Sequence, residues 1–565
     1  MSAEAPLPVV LCWHMHQPQY RNEATGRYEL PWTYLHGIKD YVDMAAIIEA
    51  TPGARAVVNF APILLEQIDD YAAQVRAFLD HGEAIRDPLL AALAAPVMPE
   101  SPEERTQLVR ACLKVNRDTV VNRFAPFRQL AGIADEILAR PELIDYIADQ
   151  FLVDLLMWYH LAWVGETVRR HDERVKALMT RERRYSLHER RQLLEIVGEL
   201  LAGIIPRYRA LWDDGRVELS FTPYAHPILP LLIDFDSARE AMPGVHLPAH
   251  QGYPGGEARA RWHVREGLAV FERFFGRRPL GCWPAEGGVS VEMLPLLEEA
   301  GVRWIASGER VMRNSLAHSA KGRPLADRCI HRPYQVRGHQ MRLFFRDDGL
   351  SDLIGFSYAK WDAEEAVTDL VGHLENIAAA CPERDRAVVP IILDGENAWE
   401  YYPENGLPFL TRLYERIAAH PDLELATFDA CLEMPSRTLG DLVAGSWVYG
   451  TFSTWIGDPD KNRGWDLLCD AKAAYDQAVE DGRLQGEALR RAERQLAYCE
   501  GSDWFWWFGD YNPAESVSDF ERLYRIHLTN LYHMIAAEPP EALAHALSRG
   551  GGEPAVGGVM RPGGE

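Results

Sequence analysis

Seven strand-length apolar runs, several followed by polar residues and then by helical periodicity, constrain this chain more than any other feature. They are Pro8–Trp13, Ala54–Phe60, Val217–Thr222, Leu280–Trp283, Val302–Ser307, Met341–Arg346 and Ala387–Leu393. Each is rich in Val, Ile, Phe or Trp. In Gly288–Gly301, Val289, Val291, Leu294, Leu296 and Leu297 lie near a helical stripe that Gly301 ends. Strand-then-helix repetition implies a parallel sheet and an α/β fold. About seven such strands suit an incomplete (β/α)7 barrel or an open doubly wound sheet, and periodicity does not separate the two.

Between Asp70 and Trp212 no strand pattern occurs, and Leu108–Val121, Phe151–Val168 and Glu189–Ile204 read as helices. This predicts a helical insertion over about 70–212 within a barrel spanning 1–440. From about Gly457 to Ala537 the pattern is helical again, as in Asp466–Val479 and Glu487–Cys499. A C-terminal helical region over 441–548 is expected to pack on the barrel and contribute to its cleft. The Gly- and Pro-rich tail, 549–565, is expected to be disordered.

At 565 residues the chain exceeds one ordinary domain, but an enlarged barrel accommodates it. Its 59 Lys and Arg against 83 Asp and Glu give a net charge of −24, which argues against nucleic acid and anionic membranes as partners. No signal peptide or bilayer-spanning stretch is visible. The eight cysteines are scattered without a C-x-x-C pair, so a reducing cytoplasm is the simplest location. The oligomeric state is not legible.

Five stretches carry candidate chemistry. Where the first strand should end, His14 and His16 alternate onto one face of Cys12-Trp13-His14-Met15-His16-Gln17-Pro18. They could be hydrogen-bonded structural histidines, a metal pair or ligands for sugar hydroxyls. In Trp283-Pro284-Ala285-Glu286-Gly287-Gly288 a strand runs into a carboxylate flanked by residues that permit positive φ. Glu286 there could equally serve a helix N-terminus. Val388–Leu393 ends in Asp394, followed by the polar and aromatic Gly395-Glu396-Asn397-Ala398-Trp399-Glu400-Tyr401-Tyr402. An Asp-Gly turn is the structural alternative, but so dense a loop after an apolar run usually binds something. Gly215–Pro230 sets Glu218 in a strand and His226 beyond its end, or is a Pro-bracketed turn.

The fifth stretch, Ser502-Asp503-Trp504-Phe505-Trp506-Trp507-Phe508, is preceded by Trp447, Trp455, Asp458 and Trp465. Aromatic faces beside carboxylates suit sugar rings, although a helix–helix core is the alternative. Two carboxylates at two strand ends are also what glycoside hydrolysis requires.

In this order the five stretches resemble glycoside hydrolase family 57, whose α-glucan-active members include amylopullulanases, 4-α-glucanotransferases and branching enzymes. The carriers are His16-Gln17-Pro18, Gly215–His226, Trp283-Pro284-Ala285-Glu286, Asp394-Gly395-Glu396 and Ser502-Asp503-Trp504. The resemblance implies an incomplete (β/α)7 barrel followed by a helical region. It implies a retaining double displacement with Glu286 as nucleophile and Asp394 as general acid/base. His16 and His226 would contact sugar, and Trp283, Trp399 and Trp504 would line the subsites; His14, Gln17, Trp455, Asp458 and Asp503, in the same stretches, are further candidates for substrate binding. Phe345–Phe356 and Gly445–Trp465 look like the amylopullulanase branch.

The leading expectation is therefore an α-glucan hydrolase without metal or cofactor, cutting α-1,4 links, with α-1,6 links as a further option. Transfer or branching at the same site is the near variant. A metal-dependent deacetylase or mannosidase using His14, His16 and Asp394, and a non-catalytic glycan-binding protein, are the alternatives of other classes.

Overall fold

The computed structural model describes residues 5–320 and 329–552. Its strands are β1 (Leu7–Met15), β2 (Ala56–Phe60), β3 (Val217–Phe221), β4 (Gly281–Cys282), β5 (Trp304–Gly308), β6 (Tyr334–Val336), β7 (Arg342–Arg346), β8 (Val389–Asp394), β9 (Leu423–Leu425) and β10 (Arg437–Leu439). The seven apolar runs supply β1 to β5, β7 and β8. These pair in parallel in the order β8-β1-β2-β3-β4-β5-β7. Strands covered on both faces read as continuous apolar runs, which is why they were legible. The short β6, β9 and β10 were not.

Among the described residues no ladder joins β7 to β8, so the barrel is incomplete. Across this seam Asp347 N donates to Pro390 O at 2.8 Å, and Arg346 Nε donates to Ile392 O at 2.8 Å. A strand residue's N–H and C=O point to the same side, so the proline in β8 removes a donor where no ladder needs one.

Two apolar cores follow from the alternation of side chains. Val10, Cys12, Val57, Trp304, Phe344 and Ile392 fill the barrel interior with Trp283 and Phe428. Their strand neighbours face outward into the larger core beneath the helices.

The segment between β2 and β3 is helical, as expected, with different boundaries. Helix Pro102–Ala111 begins at a Ser101 cap, and a separate turn, Arg117–Val121, begins where Asn116 Oδ1 accepts from Asp118 N and Thr119 N. Helices Asp149–Trp163 and Glu166–His171 are split where Asp43 caps the second, accepting from Glu166 N at 2.7 Å and Thr167 N at 2.9 Å. The helix expected over Gly288–Gly301 covers only Leu294–Glu299, because Val289 instead bridges Gly445.

The C-terminal helices are Pro459–Glu480, Gly486–Cys499, Asp503–Trp507 and Ala514–Met534. Of the tail, residues 553–565 lie outside the described residues, while Gly551 and Gly552 each donate to Asn512 O at 3.0 Å. No helix of the described residues is long and apolar enough to cross a membrane.

Candidate active site

Side-chain alternation places the site at the C-terminal mouth of the barrel. On β1, Val10 and Cys12 point into the interior, so His14 points inward one step higher. Asn59 follows Val57 on β2, and Asp394 follows Ile392 on β8, in the same phase. The register sets Asp394 beside His14, His14 beside Asn59, and Asn59 beside Ser220. A polar layer therefore caps an apolar barrel core.

Glu286 enters this layer from the end of β4. Its backbone is in the left-handed region at φ 61°, as is that of Gly287 at 58°. A Cβ on Gly287 would come within 2.9 Å of the Trp283 ring, so glycine is required there on both counts. A non-glycine residue held at positive φ costs about 1–3 kcal/mol and persists where surrounding bonds determine it. Here Ser307 Oγ donates to Gly287 O at 2.6 Å, and Trp447 N donates to Glu286 O at 3.0 Å. His226, after β3, has φ 60° and is held by Ser502 N, which donates to its carbonyl at 2.9 Å.

The C-terminal region completes the site. Glu500 is fully buried and accepts from Arg259 Nη2 at 2.7 Å and Tyr253 Oη at 2.6 Å, with His263 Nε2 at 2.7 Å. This anchor fixes the next residues, Gly501-Ser502-Asp503, against the barrel. Ser502 Oγ lies 2.8 Å from Glu286 Oε1, and Trp447 Nε1 donates to Glu286 Oε2 at 3.1 Å.

Glu286 and Asp394 line one cleft of about 250 Å³ with His14, His16, Gln17, His226 and Asp503. His16 Nε2 lies 2.8 Å from Asp503 Oδ1, and the His16 and His226 rings stack with centroids 3.7 Å apart. Glu396 Oε1 accepts from His16 N at 3.1 Å and Gln17 Nε2 at 3.2 Å. Its Oε2 and His16 Nδ1 are buried at the cleft wall with no protein partner, as polar atoms awaiting a hydroxylated ligand would be.

Both strand-end carboxylates are pushed upward. Burial, reinforced by the Asp503 and Asp394 charges and opposed by the Ser502 and Trp447 donors, raises Glu286 to about 8. Burial raises Asp394 to about 6 against the Asn397 hydrogen bond and the nearby His16 and Arg346. Both groups therefore change charge near neutral pH, and Glu286 is the higher of the two. Burial also drives His14 down to about 3 and His226 well below the ordinary imidazole value, so both rings are neutral at neutral pH.

The tryptophans correct the sequence reading. Trp283, Trp399, Trp455 and Trp504 are fully buried and are not among the cleft-lining residues. Trp504 donates to Tyr498 O at 2.8 Å and packs on Tyr524 and His527; Trp399 donates to Gly395 O at 2.9 Å beside Trp13. Trp283 stands behind His14, and Trp455 behind Trp506. Asp458 caps the helix Pro459–Glu480, accepting from Asp460 N at 2.8 Å. The aromatic cleft walls are instead Trp32, Trp163, Trp447, Trp506 and Trp507. Asn59 was not singled out from the sequence, although a lone amide at an inward position of an apolar strand is a signal, and Ser502 was named only as part of Ser502-Asp503-Trp504, without a role.

The metal alternative required His14, His16 and Asp394. His14 Nδ1 is engaged with Asn59 at 2.6 Å and its Nε2 with His226 at 3.0 Å. The one His and carboxylate group close enough to share an ion among the described residues is His16, His226 and Asp503. The imidazole planes of His16 and His226 are within 12° of parallel and stacked. In-plane lone pairs on stacked rings do not converge on one tetrahedral ion.

A model of glycosyl hydrolase family 57 matches residues 10–436. A 1,4-alpha-glucan branching enzyme of Thermococcus kodakarensis is 25% identical over 181 residues, 29% of this chain and 24% of that protein, so the match spans about a quarter of that relative. A GH57 branching enzyme structure from Thermococcus kodakaraensis aligns at TM-score 0.58 and 16% identity, covering 94% of this chain and 90% of the other. A GH57-type branching enzyme from Pyrococcus horikoshii aligns at 0.56 and 16%, covering 95% and 98%. The alpha-amylase AmyC from Thermotoga maritima aligns at 0.55 and 13%, covering 94% of each chain. At these identities the structural likeness bears on the fold.

Proposed function

The chain is an enzyme of glycosyl hydrolase family 57, and from that membership we propose that it acts on α-glucans by a retaining double displacement. The observation that carries the reading is the convergence of Glu286 and Asp394, from the ends of β4 and β8, on one aromatic-walled cleft. The α-glucan specificity is supported by the names of its relatives, which are branching enzymes and an alpha-amylase.

In the first step the Glu286 carboxylate attacks the anomeric carbon while Asp394 gives its proton to the departing glycosidic oxygen. In the second, Asp394 takes a proton from water or a sugar hydroxyl, whose oxygen displaces Glu286 from the anomeric carbon. The charges, protons and electron pairs balance, and the configuration is inverted twice. Ser502 and Trp447 donate to Glu286 and so favour the carboxylate over the acid. Asp394 accepts one such bond, from Asn397 Nδ2 at 2.9 Å, which opposes the upward push of burial on its proton affinity. His16, Gln17 and Glu396 supply polar atoms for sugar hydroxyls, and Trp506 and Trp507 supply ring faces.

We read 1–440 as the catalytic barrel with its insertion and 441–548 as the region completing the cleft, in a cytoplasmic protein. Transfer to a sugar hydroxyl, as in a branching enzyme or glucanotransferase, is the second reading. It is favoured by branching enzymes recurring among the relatives by sequence and by structure. Product profiles on maltoheptaose and pullulan, side by side, test the proposal. Shorter maltooligosaccharides from maltoheptaose indicate α-1,4 hydrolysis, longer products indicate transfer, and maltotriose from pullulan indicates the α-1,6 cleavage of an amylopullulanase. No product from either substrate contradicts the reading.

A further inference from the structure

Behind the cleft, five side chains from five segments form an unbroken hydrogen-bonded file. Asn59 Oδ1 is 2.6 Å from His14 Nδ1, and His14 Nε2 is 3.0 Å from His226 Nε2. His226 Nδ1 is 2.8 Å from Ser502 Oγ, and Ser502 Oγ is 2.8 Å from Glu286 Oε1. Asn59, His14, His226 and Ser502 are each at most 3% exposed. Every link joins groups that can donate or accept, except at Asn59, where the amide's orientation decides.

With the amide oxygen toward His14 and both rings neutral, His14 Nδ1–H donates to Asn59. His14 Nε2 must then accept from His226 Nε2–H, and His226 Nδ1 must accept from the Ser502 hydroxyl. Ser502 has no second proton, so Glu286 must donate to it and is therefore the acid. The opposite order also fits the same atoms. With the amide nitrogen toward His14, each group donates to the next, and the Ser502 hydroxyl ends the file on a Glu286 carboxylate. Ser220 Oγ and Thr222 Oγ1, at 3.0 and 2.9 Å from the amide, are hydroxyls able to serve Asn59 either way round.

We propose that Asn59, His14, His226 and Ser502 are a proton-ordering relay in which ionisation of Glu286 reverses every hydrogen bond and switches both histidines from one neutral tautomer to the other. In the change Glu286 passes its proton to Ser502, Ser502 its own to His226 Nδ1, and the proton on His226 Nε2 goes to His14 Nε2. The proton that His14 Nδ1 gives up goes to water in the cleft, which Glu286 and both rings line, and the Asn59 amide turns over to donate to the freed Nδ1. No ring ends protonated and no charge is left in the barrel core. The other charged groups facing this file are Asp394 and Asp503, which oppose ionisation of Glu286, and His16, which stacks on His226 and pairs with Asp503. Ser502 is thus a positioning residue that couples the C-terminal region to the ionisation of the nucleophile. The proposal rests on Glu286 being that nucleophile.

The test is nitrogen NMR of ring-labelled histidine in the full-length protein without substrate, titrated through the pH of about 8 to which Glu286 is raised. Signals are assigned with His14→Gln and His226→Gln. The expected result is that both rings exchange one neutral tautomer for the other together, at the pH of one limb of the activity profile. In Ser502→Ala the exchange is lost and the Glu286 limb moves about one unit upward, as removal of a hydrogen bond to a charged group predicts. Ser502→Thr restores both. Histidines that keep one tautomer throughout, or that become doubly protonated, overturn the relay. So does a Ser502→Ala limb that stays in place. Because the tautomers are read without substrate, they test the relay even if the chain proves to act on another glycan.

Discussion

Ser502, delivered by the C-terminal helical region, lies 2.8 Å from Oε1 of Glu286 on the barrel. The reactive carboxylate of one part of the fold is therefore held by a hydroxyl from another. The barrel alone would leave Glu286 in its left-handed backbone conformation with neither Ser502 nor Trp447 as donor.

The pH dependence follows from the two raised carboxylates. One limb is expected near pH 6 and the other near 8, and they belong to the coupled carboxylate cluster as a whole. Asp503 raises both groups through its negative charge, so Asp503→Asn should move both limbs toward lower pH. Measuring kcat/KM across pH for the two proteins checks the direction; an upward shift would contradict it.

Glu286 should also cost stability. Its folded-state value of about 8 lies above the ordinary 4.5, so its contribution is fully present below 4.5 and is lost as pH rises through 8. Glu286→Gln, which removes the ionisation, should be more stable than the parent above pH 8 by on the order of a few kcal/mol. The difference should fade below 4.5. Urea denaturation at both ends of this range measures it.

The opposite sign holds at Glu500. Burial opposes its charge, but Arg259 and His263 hold it at about 2. Its stabilisation is present above the ordinary 4.5 and is lost as pH falls toward 2. Glu500→Gln leaves Arg259 buried without its counter-charge and should cost about 3–5 kcal/mol at neutral pH. The gap should narrow on acidification, as thermal unfolding across pH would record. Turnover should fall as well, because Ser502 and Asp503 follow directly on this anchor.

The aromatic stretch separates binding from packing. Trp506→Ala should raise KM for maltooligosaccharides with little change in unfolding free energy, because Trp506 lines the cleft. Trp504→Ala should instead destabilise by about 3–5 kcal/mol, the cost of truncating a fully buried indole. Kinetics and denaturation of both variants decide the assignment.

That stretch also shows where the sequence was legible and where it was not. Asp503, Trp506 and Trp507 recur at the i, i+3, i+4 spacing of one helix face, and they are the residues that reach the cleft. Trp504, Phe505 and Phe508 occupy the remaining positions and pack inward. Residue type suggested a sugar platform, but periodicity decides which rings form it. The strand ends were easier. An apolar run ending in Asp394, or in Trp283 two residues before the Ala285–Glu286 turn, marks the C-terminal edge of a parallel sheet, where such groups collect. The partner of Asn59 was not legible, because it comes from register, nor was the Glu500 anchor, whose contacts lie more than 200 residues away.

The central claim is that Glu286 forms the covalent intermediate while Asp394 moves the proton. Asp394→Asn, incubated with an α-maltosyl fluoride whose leaving group needs no acid, should accumulate a glycosyl-enzyme. Acid quenching and peptide mass mapping should then find the adduct on the peptide holding Glu286, at its carboxylate. An adduct on Asp503 or Glu396, or none while turnover continues, would contradict the account.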